Sequence, residues 1–341
     1  MAKRPTIADL ADAAGVSLAT VDRVLNRRHP VKEATALRVF DAAQAIGYHA
    51  TRLIQTRLAA ELPEIVLGVV LQKPDQDFYR NVRLAMEAAA QAFAGARIKL
   101  VIDYLHGPAP ADIAAQITAL GNRVQALALT SMDHPRIADA VADLQGRGVP
   151  VFALLSDFAQ GVRQSYIGSH NLRVGRTAAW MIARRLPPGA EIGLFVGGHR
   201  WHGHALRETG FRSFFREAAS EALVLDTQVN LDTADLTYEA TLSLLARRPR
   251  LAGLYCAGGG MEGTVQAIRD EGGGRGIALV VNELTEISRL ALSDGIAVLA
   301  IATPIAELAA RVMQMAATAV TGAEVPGQVF VPMALHLPES L

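Results

Sequence analysis

The segment spanning residues 6–26, TIADLADAAGVSLATVDRVLN, constrains this chain more than any other stretch. It reads as two short helices joined by a tight turn. Thr6 can cap the first, with Asp9 three residues on as its capping-box partner. Ile7, Leu10, Ala11 and Ala14 recur at helical spacing, so one face is apolar. Gly15 stands where a helix ends and the chain turns. Ser17 can cap the next helix. Val16, Val21, Val24 and Leu25 would pack inward and leave Leu18, Ala19, Asp22 and Arg23 outside. An outer face with so few large side chains suits a helix that enters the major groove of DNA. A third helix is expected over 31–46, with Val39, Phe40, Ala43 and Ile46 on one face and Gly47 ending it. Two ordinary surface helices would share the spacing of residues 6–26; the third helix makes the set a helix-turn-helix head.

Charge points the same way. The 341-residue chain carries 33 basic and 33 acidic side chains, a balance that by itself speaks against nucleic acid. Residues 1–60, however, hold nine Lys/Arg against five Asp/Glu, a net +4, and the remainder is net −4. A basic head on a neutral-to-acidic body is the footprint of a DNA reader. One cysteine, Cys256, excludes a disulfide framework or a multi-cysteine metal site and reads as a small buried strand residue. No apolar run approaches the ~18 residues needed to span a bilayer. Asp9 and Asp12 stand where a secretion signal would be apolar, so a cytoplasmic protein without a membrane partner is expected.

The pattern of residues 6–26 closely resembles the DNA-binding head of the LacI (lactose-repressor) family of bacterial transcription regulators. The likeness continues through Val31, Thr35, Arg38, Val39 and the Gly47-Tyr48 pair. It implies that Thr6, Ser17, Leu18, Ala19, Thr20, Arg23, Asn26 and Arg27 face DNA. It also implies a hinge helix in the linker that follows, with Leu58 or Leu53 as a minor-groove wedge and Arg52 beside it. The family's Pro-Asn opening of that hinge is replaced here by Ala50-Thr51, and an ordinary amphipathic linker is the alternative reading.

From residue 65 onward apolar strand-like runs (65–72, 97–103, 126–130, 149–155, 191–196, 251–256, 277–281, 298–301) alternate with amphipathic helices (77–94, 171–185, 204–219, 304–320 among them). Continuous apolar strands alternating with helices imply parallel sheets covered on both faces. Ligands of such sheets bind beyond the carboxyl ends of the strands, so the loops there hold the site residues. The body resembles the type I periplasmic-binding-protein fold. The expected architecture is therefore α/β: a helix-turn-helix head (1–48), a hinge or linker (49–64), and a two-lobed effector-binding and dimerisation body (65–341) of parallel sheets flanked by helices.

The resemblance implies the rest of the site. Phe78 and Tyr79 open the first body helix, where the family packs rings on a sugar face. The motif H-x-x-R-x-x-G-F is met by His204, Arg207, Gly210 and Phe211, and its arginine would bond ligand hydroxyls with a planar fork. The family's acidic-asparagine pair is His170-Asn171 here, so only Asn171 matches. Asn282-Glu283-Leu284-Thr285 is similar to an H-E-L-T run of one branch, and Ala302-Thr303-Pro304 replaces the usual Gln-Asp-Pro. Asp75, Asp157 and Gly259 complete the expected ligand set. His199, His202 and His204 lack an accompanying carboxylate or cysteine at ligand spacing, so no metal is expected. Gly258-Gly259-Gly260 lacks the Lys-Ser/Thr of a phosphate loop and reads as close approach of backbone. No nucleophile elbow or zinc-protease motif is present. The expected function is a transcription regulator, a repressor by preference, without cofactor. It would bind operator DNA as a homodimer under control of a sugar or polyol. A solute-binding protein, or a regulator whose cleft no longer takes a sugar, is the alternative.

Overall fold

The computed structural model describes residues 4–26, 31–51, 54, 62–218, 220–272 and 276–341. Contacts within the chain cluster into two compact units, Met1–Glu64 with Ala94–Arg97, and Ile65–Phe93 with Ile98–Leu341.

The first unit holds α1 (Ile7–Ala14), α2 (Leu18–Asn26) and α3 (Glu33–Ala45). The capping box forms both ways: the Asp9 N–H donates to Thr6 Oγ1 at 3.3 Å, and the Thr6 N–H donates to Asp9 Oδ2 at 2.7 Å. Gly15 turns the chain at φ +62°, and its N–H reaches the Ala11 and Asp12 carbonyls, so a side chain there would be strained. The Thr20 N–H donates to Ser17 Oγ at 3.2 Å and starts α2. Leu10, Val21, Val39 and Ala43 are fully buried between the helices, joined by Ala36, Tyr48 and Ile54. The third helix is shorter than its periodicity predicts. Val31 and Ile46 pack against the core from just outside it, which gives them an apolar signal without helical geometry.

The second unit is two α/β lobes. Lobe one carries the sheet β12-β5-β4-β3-β1-β2, built from β1 (Glu64–Leu71), β2 (Arg97–Tyr104), β3 (Ala126–Leu129), β4 (Val151–Leu154), β5 (Ser165–Ser169) and β12 (Gln328–Val331). Its helices include α4 (Asp77–Ala92), α5 (Pro110–Gly121), α6 (Pro135–Gly146) and α12 (Ile305–Val320). Lobe two carries β13-β11-β10-β9-β6-β7 with β8 also on β6. Its strands are β6 (Glu191–Val196), β7 (Leu223–Val224), β8 (Gln228–Val229), β9 (Leu251–Cys256), β10 (Ala278–Asn282), β11 (Ala297–Ala302) and β13 (Ala334–His336). Its helices are α7 (Asn171–Ala183), α8 (His202–Glu217), α9 (Ala234–Arg247), α10 (Met261–Asp270) and α11 (Glu286–Ser293). The chain crosses between lobes after β5, after β11 and between β12 and β13.

Strands β3, β4 and β11 are buried at every residue, the outcome of their unbroken apolar composition, and β10 is too, with Asn282 as its polar end. The pairings β1–β3, β3–β4, β4–β5, β5–β12, β6–β9, β9–β10 and β10–β11 are parallel, and β13 joins β11 antiparallel. Five strands, β5, β7, β8, β12 and β13, fall where no strand was expected. Two glycines explain the crossing of α7 on α8. A Cβ on Gly175 would lie 1.9 Å from the Arg207 carbonyl oxygen, and one on Gly210 would lie 2.1 Å from that of Leu172. The glycine of the H-x-x-R-x-x-G-F motif is thus a helix-packing residue that seats the turn bearing Arg207.

Candidate functional site

On the first unit, α2 presents Leu18, Ala19, Arg23 and Asn26 to solvent, while Val21, Val24 and Leu25 face the core. Leu18 is 53% exposed. Thr20 and Asp22 are half-buried. Ser17 and Thr20 bond one another at 2.9 Å, and Asn26 Nδ2 donates to Asp22 Oδ1 at 2.6 Å along the polar edge of α2. The Arg23 side chain projects from the exposed face of this helix. Arg27, Arg52, Leu53 and Leu58, expected at the DNA surface, lie outside the described residues. Of the linker, Thr51 donates its hydroxyl to the Ala43 carbonyl at 3.1 Å, and Ile54 is buried in the head core.

On the second unit, the carboxyl ends of β1, β3, β4, β6, β9 and β10 converge on a cavity of about 90 Å³ between the lobes. Phe78, Tyr79, His204, Arg207, Gly259, Asn282 and Glu283 line it, as the sequence reading expected. Three other residues of that reading do not. Asp75 sits on the exposed loop before α4. Asp157 is buried beside Arg163, whose Nη2 donates to its carboxylate at 2.7 Å; Gln160 and the Phe158 N–H take its remaining capacity. Asn171 lies behind the cavity and positions Arg207. Its Oδ1 accepts from Arg207 Nε at 2.7 Å, and its amide donates to Tyr166 Oη and the Leu155 carbonyl.

Arg207 is 8% exposed and spends a second donor on the Ala257 carbonyl at 2.8 Å. Its Nη2 stands 4.0 Å from Glu283 Oε1. Glu208, its neighbour and the obvious surface partner, bonds Arg212 instead. Glu283 also accepts from the Thr303 N–H at 2.7 Å and the Thr303 hydroxyl at 2.9 Å; burial raises its carboxyl above the ordinary value, and Arg207 opposes that. Thr303 is the middle residue of the Ala-Thr-Pro that replaces the family's usual tripeptide, so that position serves the site through Glu283. His204 accepts the Gly197 N–H on Nδ1 at 3.2 Å. Burial depresses its pKa to about 4, so the ring is neutral at pH 7 and carries its proton on Nε2. His202 by contrast meets Gln160 Nε2, so the two imidazoles serve different partners.

Sequence reasoning missed Asp232, Glu262 and Thr130 as cavity walls. Asp232 sits in left-handed backbone at φ +53° within a cradle of glycines. A Cβ on Gly197, Gly258 or Gly259 would lie 2.0, 2.5 or 2.9 Å from Asp232 atoms. The glycine run exists to admit that side chain, whose Oδ1 accepts the Gly259 N–H at 2.7 Å. Leu155 and Glu283, which also line the cavity, share positive φ. Such conformations cost about 1–3 kcal/mol each for non-glycine residues and persist where the surroundings enforce them, commonly at binding sites. The lobes meet around the cavity. Lys73 Nζ donates to the Leu231 and Asp232 carbonyls at 2.8 Å each, Gln76 Nε2 to the Asp232 carbonyl at 2.9 Å, and the Asp133 N–H to the Arg200 carbonyl at 3.0 Å.

A two-lobed α/β body with an interlobe cavity, on a chain that opens with a helix-turn-helix, defines a ligand-responsive DNA-binding regulator. Residues 67–324 match the periplasmic binding protein domain, and residues 6–51 match the bacterial regulatory proteins of the lacI family. The chain belongs to the lacI family of regulators with a periplasmic-binding-protein-type body, and it is a DNA-binding transcription regulator. It is 25% identical to the HTH-type transcriptional regulator GalS of Salmonella typhimurium over 78% of this chain and 76% of that one. It is 34% identical to Escherichia coli GalR over 25% of this chain and 24% of that one. In fold, the body is similar to an Agrobacterium vitis ABC transporter solute binding protein bound with alpha-D-tagatopyranose. The TM-score is 0.71 at 22% identity, covering 81% of this chain and 95% of that one. It is also similar to GanP, a glucose-galactose binding protein of Geobacillus stearothermophilus, with TM-score 0.73 at 15% identity over 82% and 99%. Among the described residues no helix is long and apolar enough to cross a membrane.

Proposed function

We propose that this regulator is a homodimeric, cytoplasmic repressor whose operator affinity is set by a sugar or polyol bound between the lobes, and that it is not an enzyme. The observation that carries the reading is the cavity itself, with aromatic Phe78 and Tyr79 on one side and the Arg207 fork, the Asn282 amide and a neutral His204 on the other. Apolar faces fringed by a few fixed polar groups are what a hydroxyl-rich ring requires. The names of the similar proteins, GalS among the regulators and a tagatose-bound protein among the structures, support it. Residues 1–48 would act as the DNA-binding domain, 49–64 as the hinge and 65–341 as the effector domain. Two heads in a dimer would meet two operator half-sites. On α2, Arg23 would read a base edge, Leu18 and Ala19 would meet thymine methyls, and Thr6, Ser17, Thr20 and Asn26 would fix the helix against phosphates. A ligand that prefers one lobe arrangement would bias the heads through that preference alone.

The test is a pair of titrations on purified full-length protein. Arg23→Ala should weaken binding to the selected operator by about 1–3 kcal/mol and change binding to scrambled DNA much less. Equal losses on both would make Arg23 a phosphate contact. Thermal-shift screening of hexoses, pentoses and polyols should find a stabilising ligand by mass action. The same ligand should then change operator affinity; a stabiliser with no effect on DNA binding would refute the regulatory link.

A further inference from the structure

The cavity wall is short of positive charge. Among the described residues three carboxylates line it, Asp232, Glu262 and Glu283, against one guanidinium, that of Arg207. The guanidinium is already engaged by Asn171, the Ala257 carbonyl and Glu283. His204 contributes no charge near neutral pH. The nearest ammonium, Lys73 Nζ, spends two of its three donors on the carbonyls of Leu231 and Asp232. Counting Lys73 with the wall leaves one negative charge uncompensated.

That charge faces groups with unused capacity. Among the described residues, Asp232 Oδ2 and the Glu262 carboxylate accept no hydrogen bond from another side chain. Burial raises the Glu262 carboxyl, and Asp77 and Asp232 add to the rise while its own backbone N–H and Lys73 oppose it. Across the cavity, Thr130 Oγ1 is the one buried side-chain polar atom without a partner among the described residues, and Thr130 is 1% exposed. An orphaned hydroxyl sealed in a wall is costly unless a ligand satisfies it. The carboxylates lie in lobe two and Thr130 in lobe one, so one molecule with a cationic end and a hydroxyl would complete both.

We propose that the effector is an aminated sugar or aminopolyol whose ammonium group faces Asp232 and Glu262 while a hydroxyl bonds Thr130. This rests on the sugar or polyol reading of the same cleft and narrows it. Anionic sugars, whether phosphorylated or oxidised to acids, are excluded by the same charge balance. An N-acetylated sugar keeps the ring and loses the charge, so it isolates the electrostatic part.

The experiment is calorimetry on the full-length protein at pH 7 with D-glucosamine, D-galactosamine and D-mannosamine, their parent hexoses, and their N-acetyl forms. One amine should bind at least tenfold tighter than both its parent and its N-acetyl form. In Glu262→Gln and in Asp232→Asn that preference should fall to within about twofold, while Glu217→Gln, a remote surface change, should leave it intact. Glu262→Gln, on the first turn of α10, guards against a folding defect at the strained Asp232. Hexoses that bind as well as the amines would overturn the proposal and leave the sugar reading standing. Failure of every sugar to bind would remove both.

Discussion

The two walls of the cleft are unlike. Lobe one lines it with Gln72, Gln76, Phe78, Tyr79, Thr130, Leu155 and Ser156, none charged at pH 7. Burial pushes the Tyr79 hydroxyl further from ionisation. Lobe two supplies His204, Arg207, Asp232, Glu262 and Glu283, every group on which charge or proton position matters. The origin lies in how each wall is supported. Charged groups need fixed counter-partners, and lobe two has them for Arg207 in Asn171 and the Ala257 carbonyl, for Glu283 in Thr303, and for one oxygen of Asp232 in the Gly259 N–H. Lobe one offers rings and hydroxyls that tolerate small movements. The difference teaches a division of labour for the proposed function: lobe two would hold the ligand, and lobe one would meet it with an uncharged face.

The comparison is most exposed to failure at Arg207. Arg207→Ala should reduce effector affinity by about 1.5–3 kcal/mol, as expected for a lost charge-assisted bond. It should also lower the urea midpoint, because Glu283 loses its cation. Operator affinity without ligand should stay near wild type. Calorimetry with the identified effector and an operator titration read these separately; unchanged effector affinity would move the ligand's anchor to the other lobe.

Next is the pH dependence of lobe two. The His204 pKa is depressed in the fold to about 4 from an ordinary 6.5. The unfolded chain takes up that proton first, so the stability from keeping His204 neutral is present above about pH 6.5 and is lost as pH falls toward 4. Glu283 has the opposite sign: its raised carboxyl favours the fold at low pH and ceases to help as pH rises through its folded value. Urea melts of wild type and His204→Gln from pH 7.5 to 4 should therefore converge on acidification, with wild type losing the larger part. Parallel curves would mean that His204 is solvated.

Lobe one should give smaller effects. Phe78→Ala should cost effector affinity about 1–2 kcal/mol, the worth of a partly covered apolar face, and should leave the pH profile of stability unchanged. The smallest and sharpest effect is expected at Thr130. Thr130→Val removes a buried hydroxyl that has no partner, so stability should hold or rise by up to about 1 kcal/mol. Effector affinity should nonetheless fall by about 0.5–1.5 kcal/mol if the ligand is that hydroxyl's partner. Thermal melts with and without effector distinguish the two signs, and affinity unchanged in Thr130→Val would take lobe one's hydroxyl out of the site.

The helix-turn-helix was legible from residues 6–26 because everything that shapes it is local: the Thr6–Asp9 box, the left-handed Gly15, the Ser17 cap and the 3.6-residue period all act within a few residues. The buried apolar strands were legible for the same reason, since β3, β4, β9, β10 and β11 carry their burial in composition. Strand β5, SYIGS, reads as polar. It became a buried strand only because β4 and β12 flank it and Tyr166 finds the Ser169 and Leu155 carbonyls for its hydroxyl. The terminal segments forming β12 and β13 likewise took strand geometry from the sheets they border. The site followed the same rule. Motif residues such as Arg207, in the helix after β6, and Glu283, at the end of β10, could be named from the chain. Asp232 could not, because its place depends on Gly197 and Gly258–Gly259 from two other loops. Asp157 and Asn171 had the right chemistry at the right loops, and the tertiary structure assigned them to Arg163 and Arg207 instead. Sequence determines what a segment does with its neighbours in the chain. Which polar group is left free to meet a ligand is decided by partners from distant segments, since a buried hydrogen-bonding group must be satisfied by whatever the fold brings to it.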